Sequence, residues 1–202
     1  MQDFTQEGNE WFKRNHEKMK NFTGDILNNY LESLPVEEHT KVLEIGCSNG
    51  YRLARLKANC FGTDISEEAI KDGQARFPQL NLQVAESHAN LFPDNFFDVV
   101  CVSFVFHWVD RRYLFKMADE INRVLKPGGK LLIQDFFSKE IHSREYHHKE
   151  GLLTSKSFYE ELFRVAGYTE IYRMPFDHDD LSVPRPELTG GDNDCVFVTL
   201  SK

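Results

Sequence analysis

Between residues 41 and 137 five short apolar runs alternate with segments of helical character, and no other feature constrains the fold as tightly. The runs are 41–45 (KVLEI), 60–65 (CFGTDI), 80–85, 97–104 (FDVVCVSF) and 130–137 (KLLIQDFF). The fourth is almost wholly apolar, as a central strand covered on both faces must be. Strands joined through helices run parallel, because the crossover returns the chain to the end from which it started. The pattern therefore predicts a doubly wound α/β sheet.

The punctuation agrees. A helix is expected to start at 51–56, directly after the glycines of 46–50. Ser66 is a good N-cap, and Glu67 and Glu68 stand in the following turn, where the helix dipole favours acids. That helix is expected to stop before Pro78, and another over 111–125 to end at Lys126-Pro127-Gly128-Gly129. A last helix is expected over 157–166, closed by Gly167. Strands at 169–174 and 195–201 (CVFVTLS) then follow with no helix between them, which predicts a C-terminal antiparallel hairpin and seven strands in all. Ahead of the first strand, polar helices over 3–19 and 24–34 form an N-terminal cap (1–35), and 138–154 reads as an insertion. No repeat or linker divides the 202 residues, so one domain is expected over 1–202.

Composition narrows the partners. The chain carries 32 acidic against 24 basic side chains, a net charge of -8, and no concentrated basic surface of the kind a phosphate backbone demands. A small-molecule acceptor suits this balance better than a nucleic acid. No apolar run reaches the ~18 residues of a membrane span, and the first twenty residues lack the apolar stretch of a signal peptide. Cys47, Cys60, Cys101 and Cys195 show no metal-ligand spacing and read as reduced thiols of a cytoplasmic protein.

In a doubly wound sheet, ligands bind beyond the carboxyl ends of the strands where the winding reverses. The first strand is closed by Gly46-Cys47-Ser48-Asn49-Gly50, and the second ends at Asp64, which can accept both ribose hydroxyls of an adenosine ligand. A dinucleotide requires G-x-G-x-x-G, so that its pyrophosphate meets bare backbone. Here Ser48 stands in the place of the second glycine, a substitution that a ligand without phosphate tolerates.

Taken in order, VLEIGCSNG (42–50), GTDIS (62–66), NLFPDNFFDVV (90–100) and LKPGGKLLI (125–133) resemble the successive motifs of class I S-adenosylmethionine (SAM)-dependent methyltransferases. The resemblance implies a Rossmann-like methyltransferase fold and SAM as cofactor, with S-adenosylhomocysteine as product. It implies that Glu44, Gly46, Cys47, Ser48, Asn49 and Gly50 shape the pocket for the methionine part, that Asp64 holds the ribose and that Ile65 packs on the adenine. The adenine-edge position falls on Glu86, Ser87 and His88, where the family's usual Asp is absent. Ser103 and Phe104, after the fourth strand, complete the expected cofactor contacts.

A sulfonium already activates its methyl group, so alignment supplies most of the catalysis and a base matters only where the nucleophile sheds a proton. His107, after the fourth strand, is the candidate base, and Asp135, at the end of the fifth, is a second polar group at the cleft rim. Family members carry a similar His-Trp pair there. Acceptor contacts are expected from Trp11, Arg14, Phe106, Tyr146, His147 and His148. The three histidines of 142–148 lack metal-site spacing, so no metal is expected. NEWFKRN (9–15), IGCSNGYRLA (45–54) and YHH (146–148) are also similar to bacterial methyltransferases of surface-sugar biosynthesis, which implies O-methylation of a sugar or similar metabolite. Two other readings stand beside it: a non-catalytic SAM-binding subunit and an NAD-linked oxidoreductase.

Overall fold

The computed structural model describes residues 4–146 and 150–202. Two helices, α1 (Phe4–Lys20) and α2 (Ile26–Ser33), precede the sheet. Then come β1 (Lys41–Ile45), β2 (Asn59–Asp64), α3 (Glu67–Arg76), β3 (Asn81–Val84), β4 (Phe97–Ser103), α4 (Leu114–Val124) and β5 (Leu125–Phe136). The chain continues with β6 (His142–Glu145), β7 (Leu153–Lys156), α5 (Glu161–Arg164), β8 (Thr169–Asp177), β9 (Asp180–Pro184) and β10 (Asp194–Ser201).

The main sheet runs in the order β3-β2-β1-β4-β5-β10-β8-β9. The pairs β2–β3, β1–β2, β1–β4 and β4–β5 are parallel, and β10 runs antiparallel to both β5 and β8. The winding reverses between β1 and β4. This is the doubly wound Rossmann-like sheet with an antiparallel carboxyl-terminal pair that the sequence pattern predicts.

The period of two sorts the strands' side chains into two cores. Leu43, Ile45, Val100 and Val102 face one layer, where α4 contributes Met117, Ile121 and Val124 from successive turns of one stripe. Val42, Val99, Cys101 and Leu132 face the other, against Leu27 and Leu31 of α2 and Ile70 of α3. Each fully buried aliphatic side chain contributes about 1.5–3 kcal/mol. Gly73 lets α3 lie directly on the first loop, since a Cβ there would overlap the Asn49 carbonyl.

Three expectations are corrected. The helix expected from Tyr51 is only a single 3₁₀ turn, Leu53–Arg55, because Arg52 turns into the core and the chain re-enters the sheet at Asn59. The helix expected over 157–166 shrinks to the four residues of α5. The sheet has eight strands rather than seven, since Asp180–Pro184 of the Pro/Asp/Gly-rich loop pairs with β8 at the edge. Within the insertion β6 and β7 form a separate antiparallel pair, with the Ser143 and Ser155 hydroxyls hydrogen-bonded across it at 2.7 Å.

Candidate active site

The loop after β1 takes its shape from left-handed backbone. Gly46 and Gly50 have φ of 75° and 77°, and Ser48 adopts φ 52° between them. A Cβ on Gly46 would overlap Val105 from the loop after β4, so the glycine brings the two switch-point loops into contact. Asp64 fixes this shape. Its Oδ2 accepts the Ser48 N–H at 2.7 Å and its Oδ1 accepts the Ser66 N–H at 2.8 Å. Burial raises the pKa of Asp64, and these backbone donors oppose the rise. Each carboxylate oxygen has a second lone pair, so the group retains capacity for hydroxyl donors.

Glu44 lies beneath the loop, 1% exposed. Its Oε1 accepts from Arg52 Nη1 at 3.1 Å, and burial pushes its pKa up to about 7 against the pull of Arg52. Arg52 also donates through Nε and Nη2 to Asp25 Oδ2 at 3.0 and 2.7 Å. Asp25 in turn caps α2 through the Asn28 N–H. Gln134 of β5 joins in, donating to Asp25 at 3.3 Å and to Ser103 Oγ at 3.2 Å while accepting the Leu27 N–H at 3.1 Å. One buried polar network thus ties the ends of β1, β4 and β5 to α2. Asp25, Arg52 and Gln134 are absent from the sequence reading, because a lone Arg or Gln in sequence carries no sign that it will be buried. Among the described residues Glu44 Oε2, Asn49 Oδ1 and Asp135 Oδ2 are buried acceptors with no partner, and all three lie at this edge of the sheet.

Beyond Asp64, Ile65 lies against Gly8 of α1, where a Cβ would come within 2.8 Å. Asn9 Oδ1 accepts from Ser66 Oγ at 2.7 Å, and Ser48 Oγ donates to Met19 Sδ at 3.2 Å. The first helix therefore lies across both loops. His88 stacks on Tyr113 at 4.6 Å and pairs with the exposed Glu86 at 3.2 Å. Ser87 is half-buried between them in sequence, and Ala85, just ahead of Glu86, donates its N–H to the Asp64 carbonyl at 2.9 Å. Cys47 is fully buried under the loop, its thiol pushed well above the ordinary range by desolvation.

At the other end of the same edge the chemistry is carried by side chains. His107 and Asp135, separate candidates in sequence, form a pair: Nδ1 to Oδ1, 2.8 Å. Both are buried. A carboxylate can only accept, so this hydrogen bond places a proton on Nδ1, and in the neutral imidazole Nε2 then carries the lone pair. Asp135 Oδ1 also accepts the Phe136 N–H at 2.8 Å, which fixes the carboxylate and through it the imidazole. Such an arrangement orients a general base.

The expected acceptor residues divide. Arg14 donates to Glu7 at 2.5 Å and to the Tyr146 hydroxyl at 3.2 Å, and Tyr146 meets Trp108 edge-on at 4.5 Å, beside His107. Trp11 packs with Phe12 and Met19 on the inner side of α1. Phe106 is a correction: it is fully buried, stacked on Tyr159 at 5.2 Å and packed against Phe163, so it supports the loop from below. His147 and His148 lie outside the described residues. Among those described, no group of three metal-ligating side chains occurs, and no helix is long and apolar enough to cross a membrane. His178, at the β8–β9 turn, joins the site without any signal in sequence.

Residues 43–133 match the family model of the methyltransferase domain. Mitochondrial arginine-hydroxylase NDUFAF5 of Rattus norvegicus is 37% identical over 92 residues, 43% of this chain and 26% of its own. Phosphoethanolamine N-methyltransferase 1 of Arabidopsis thaliana is 28% identical over 178 residues, 79% of this chain and 35% of its own. The chain thus spans about a quarter to a third of these relatives' length. Among solved structures, 1,6-didemethyltoxoflavin-N1-methyltransferase of Burkholderia thailandensis, holding 1,6-didemethyltoxoflavin and S-adenosylhomocysteine, superposes with a TM-score of 0.69 at 17% identity. It covers 96% of this chain and 85% of its own, a likeness of fold.

Proposed function

We propose that this chain is a class I SAM-dependent methyltransferase and that it transfers the SAM methyl group to a hydroxyl oxygen of a small acceptor. The observation that carries this reading is the buried His107–Asp135 pair on the sheet edge that also holds the loop of 46–50 and Asp64. When bound, SAM supplies an electrophilic methyl carbon on sulfur and leaves as S-adenosylhomocysteine.

The residues present fit that cofactor. Glu44 Oε2 and Asn49 Oδ1 are unpartnered buried acceptors suited to an ammonium group, and the left-handed loop lets a ligand approach backbone closely. Asp64 retains lone pairs for ribose hydroxyls, and Ile65 offers an apolar face to the base. Ser103 joins the same network and Phe104, at φ 54°, turns the chain from β4 toward the cleft. The helix α1 (Phe4–Lys20) serves as the part of the cap that must shift for the cofactor to enter, because Met19 and Gly8 contact the two loops that would line its site. His107 Nε2 takes the acceptor's proton while Asp135 holds Nδ1–H, and Tyr146 and Arg14 border the acceptor side. A base of this kind contributes about 10²–10⁴ in rate.

The net charge of -8 supports a small-molecule acceptor over a nucleic acid, and four buried free thiols support a cytoplasmic location. Titration calorimetry with SAM, S-adenosylhomocysteine and NAD tests the assignment. The first two are expected to bind and NAD is not. Asp64→Ala is expected to abolish SAM binding in a protein whose circular dichroism is unchanged. NAD binding, or undiminished SAM affinity in that variant, would refute the cofactor site. SAM binding without turnover on any acceptor would favour the non-catalytic subunit.

A further inference from the structure

The rings gathered around His107 narrow the class of acceptor. Phe136 meets the imidazole edge-on at 5.0 Å, Phe104 does so at 6.3 Å, and Trp108 lies tilted at 5.3 Å. Phe104 and Phe136 touch each other at 5.5 Å and 68°, forming a corner. His178 fills that corner: it stacks on Phe136 at 4.7 Å and 28° and meets Phe104 edge-on at 5.3 Å. It comes from the exposed two-residue turn between β8 and β9, outside the parallel core.

A planar polar ring therefore already lies on Phe136 beside the candidate base, in a stacked geometry that favours aromatic partners. Among the described residues, the hydrogen-bonding groups against these rings are His107, Asp135 Oδ2 and His178, with Lys156 Nζ lying over the Phe136 ring at 4.4 Å and already bonded to the Asp192 carbonyl, while the Tyr146 hydroxyl and Arg14 stand farther off, beyond Trp108. A sugar, the acceptor expected from the sequence, would bring several hydroxyls against these rings, and each one left unpaired gives up its hydrogen bonds to water without return. Proton transfer points the same way. A phenolic hydroxyl is far more acidic than an alkyl one, so it gives up its proton to a neighbouring base more readily.

We propose that the acceptor is a planar hydroxylated ring, phenolic or heteroaromatic, that takes the place of His178 on Phe136 with its hydroxyl on His107 Nε2. This rests on the methyltransferase reading above. The hydroxyl proton passes to Nε2 and its oxygen bonds the methyl carbon as the carbon–sulfur bond breaks, the electron pair staying on sulfur. His107 then releases the proton to water.

The test uses 7-hydroxycoumarin, a fluorescent planar phenol whose excitation spectrum separates phenol from phenolate, titrated with protein loaded with S-adenosylhomocysteine. Its anisotropy is expected to rise saturably, its phenolate fraction to grow on binding, and methyl β-glucoside to displace none of it. His107→Asn keeps the anisotropy rise and loses the phenolate signal. Phe136→Ala weakens binding at least tenfold. His178→Ala, at an exposed turn that tolerates change, tightens binding because the competing ring is gone. If S-adenosylhomocysteine binds calorimetrically but neither 7-hydroxycoumarin nor 4-hydroxybenzoate does, or if the glucoside displaces them, the aromatic acceptor is overturned and the methyltransferase reading stands. Tenfold weaker binding in His178→Ala overturns the replacement of that ring. Failure of S-adenosylhomocysteine itself to bind brings down both.

Discussion

The two halves of one sheet edge are built from different materials. Around β1 and β2 the surface is largely backbone, held by three left-handed residues and by a carboxylate that ties two amide N–H groups together. Around β4 and β5 it consists of side chains: a buried His–Asp pair and a corner of rings, two of which arrive from appended elements. A backbone surface survives many substitutions provided its dihedrals are kept. A side-chain surface changes with each one. The first half thus suits a ligand common to many relatives, and the second suits the ligand in which they differ.

The largest expected effect lies on the side-chain half. His107→Asn keeps an N–H donor for Asp135 and removes the basic nitrogen. Turnover should fall by about 10²–10⁴ while SAM affinity measured by calorimetry stays within twofold. Loss of both together would mean that the halves are not separable. An unchanged turnover would leave alignment as the whole mechanism.

Next in size is the network beneath both halves. Arg52→Met leaves Asp25 and Glu44 buried without their cation, and breaking such a pair costs about 3–5 kcal/mol. Urea denaturation should show that loss. A change below about 1 kcal/mol would mean that water or a shifted loop compensates.

Legibility follows the same division. The parallel strands, the loop of 46–50 and Asp64 are readable because they rest on period, glycine placement and capping, all local properties of a sequence. Arg52, Asp25 and Gln134 are not, since their charge and polarity argue for the surface until tertiary contacts bury them. The hairpin of β6 with β7 and the edge strand β9 are too short and polar to announce themselves. His107 and Asp135 are readable singly, the one just after the fourth apolar strand and the other at the end of the fifth. Their pairing depends on β4 and β5 being neighbours, a fact of topology. His178 reaches the corner only because β9 folds back on β8, which no local pattern signals.

Glu44 supplies a smaller, pH-dependent test of the network. Its folded-state pKa of about 7 lies above its ordinary value near 4.5, because desolvation outweighs the attraction of Arg52 and the neighbouring Asp25 and Asp64 add repulsion. A raised pKa means that the folded state binds the proton more tightly than the unfolded chain. Its contribution is therefore fully present below about 4.5 and is lost as pH rises through about 7. Glu44→Gln removes this dependence. The stability difference between variant and parent should shift in the variant's favour by on the order of 2–3 kcal/mol from pH 4.5 to 8. A pH-independent difference would show that Arg52 keeps Glu44 ionised throughout.

The smallest effect tests whether the cofactor half is truly a backbone surface. Ser48 holds φ 52°, a conformation that costs a residue with a Cβ about 1–2 kcal/mol and glycine almost nothing. Ser48→Gly relieves that strain but adds unfolded-state freedom worth about 0.5–1 kcal/mol and deletes the hydroxyl's contact with Met19. These terms nearly cancel, so a change in stability below about 1 kcal/mol is expected. SAM affinity should hold within threefold, since the Ser48 N–H that Asp64 accepts is retained. A tenfold loss would show that the hydroxyl itself meets the ligand or holds α1 in place over it. Ser48→Ala separates the hydroxyl's part from the backbone freedom that glycine adds: it keeps the Cβ and the strained dihedral and removes only the oxygen. Were Ser48→Ala to match Ser48→Gly in affinity loss, the hydroxyl would be responsible and the contrast between the two halves would weaken to one of degree.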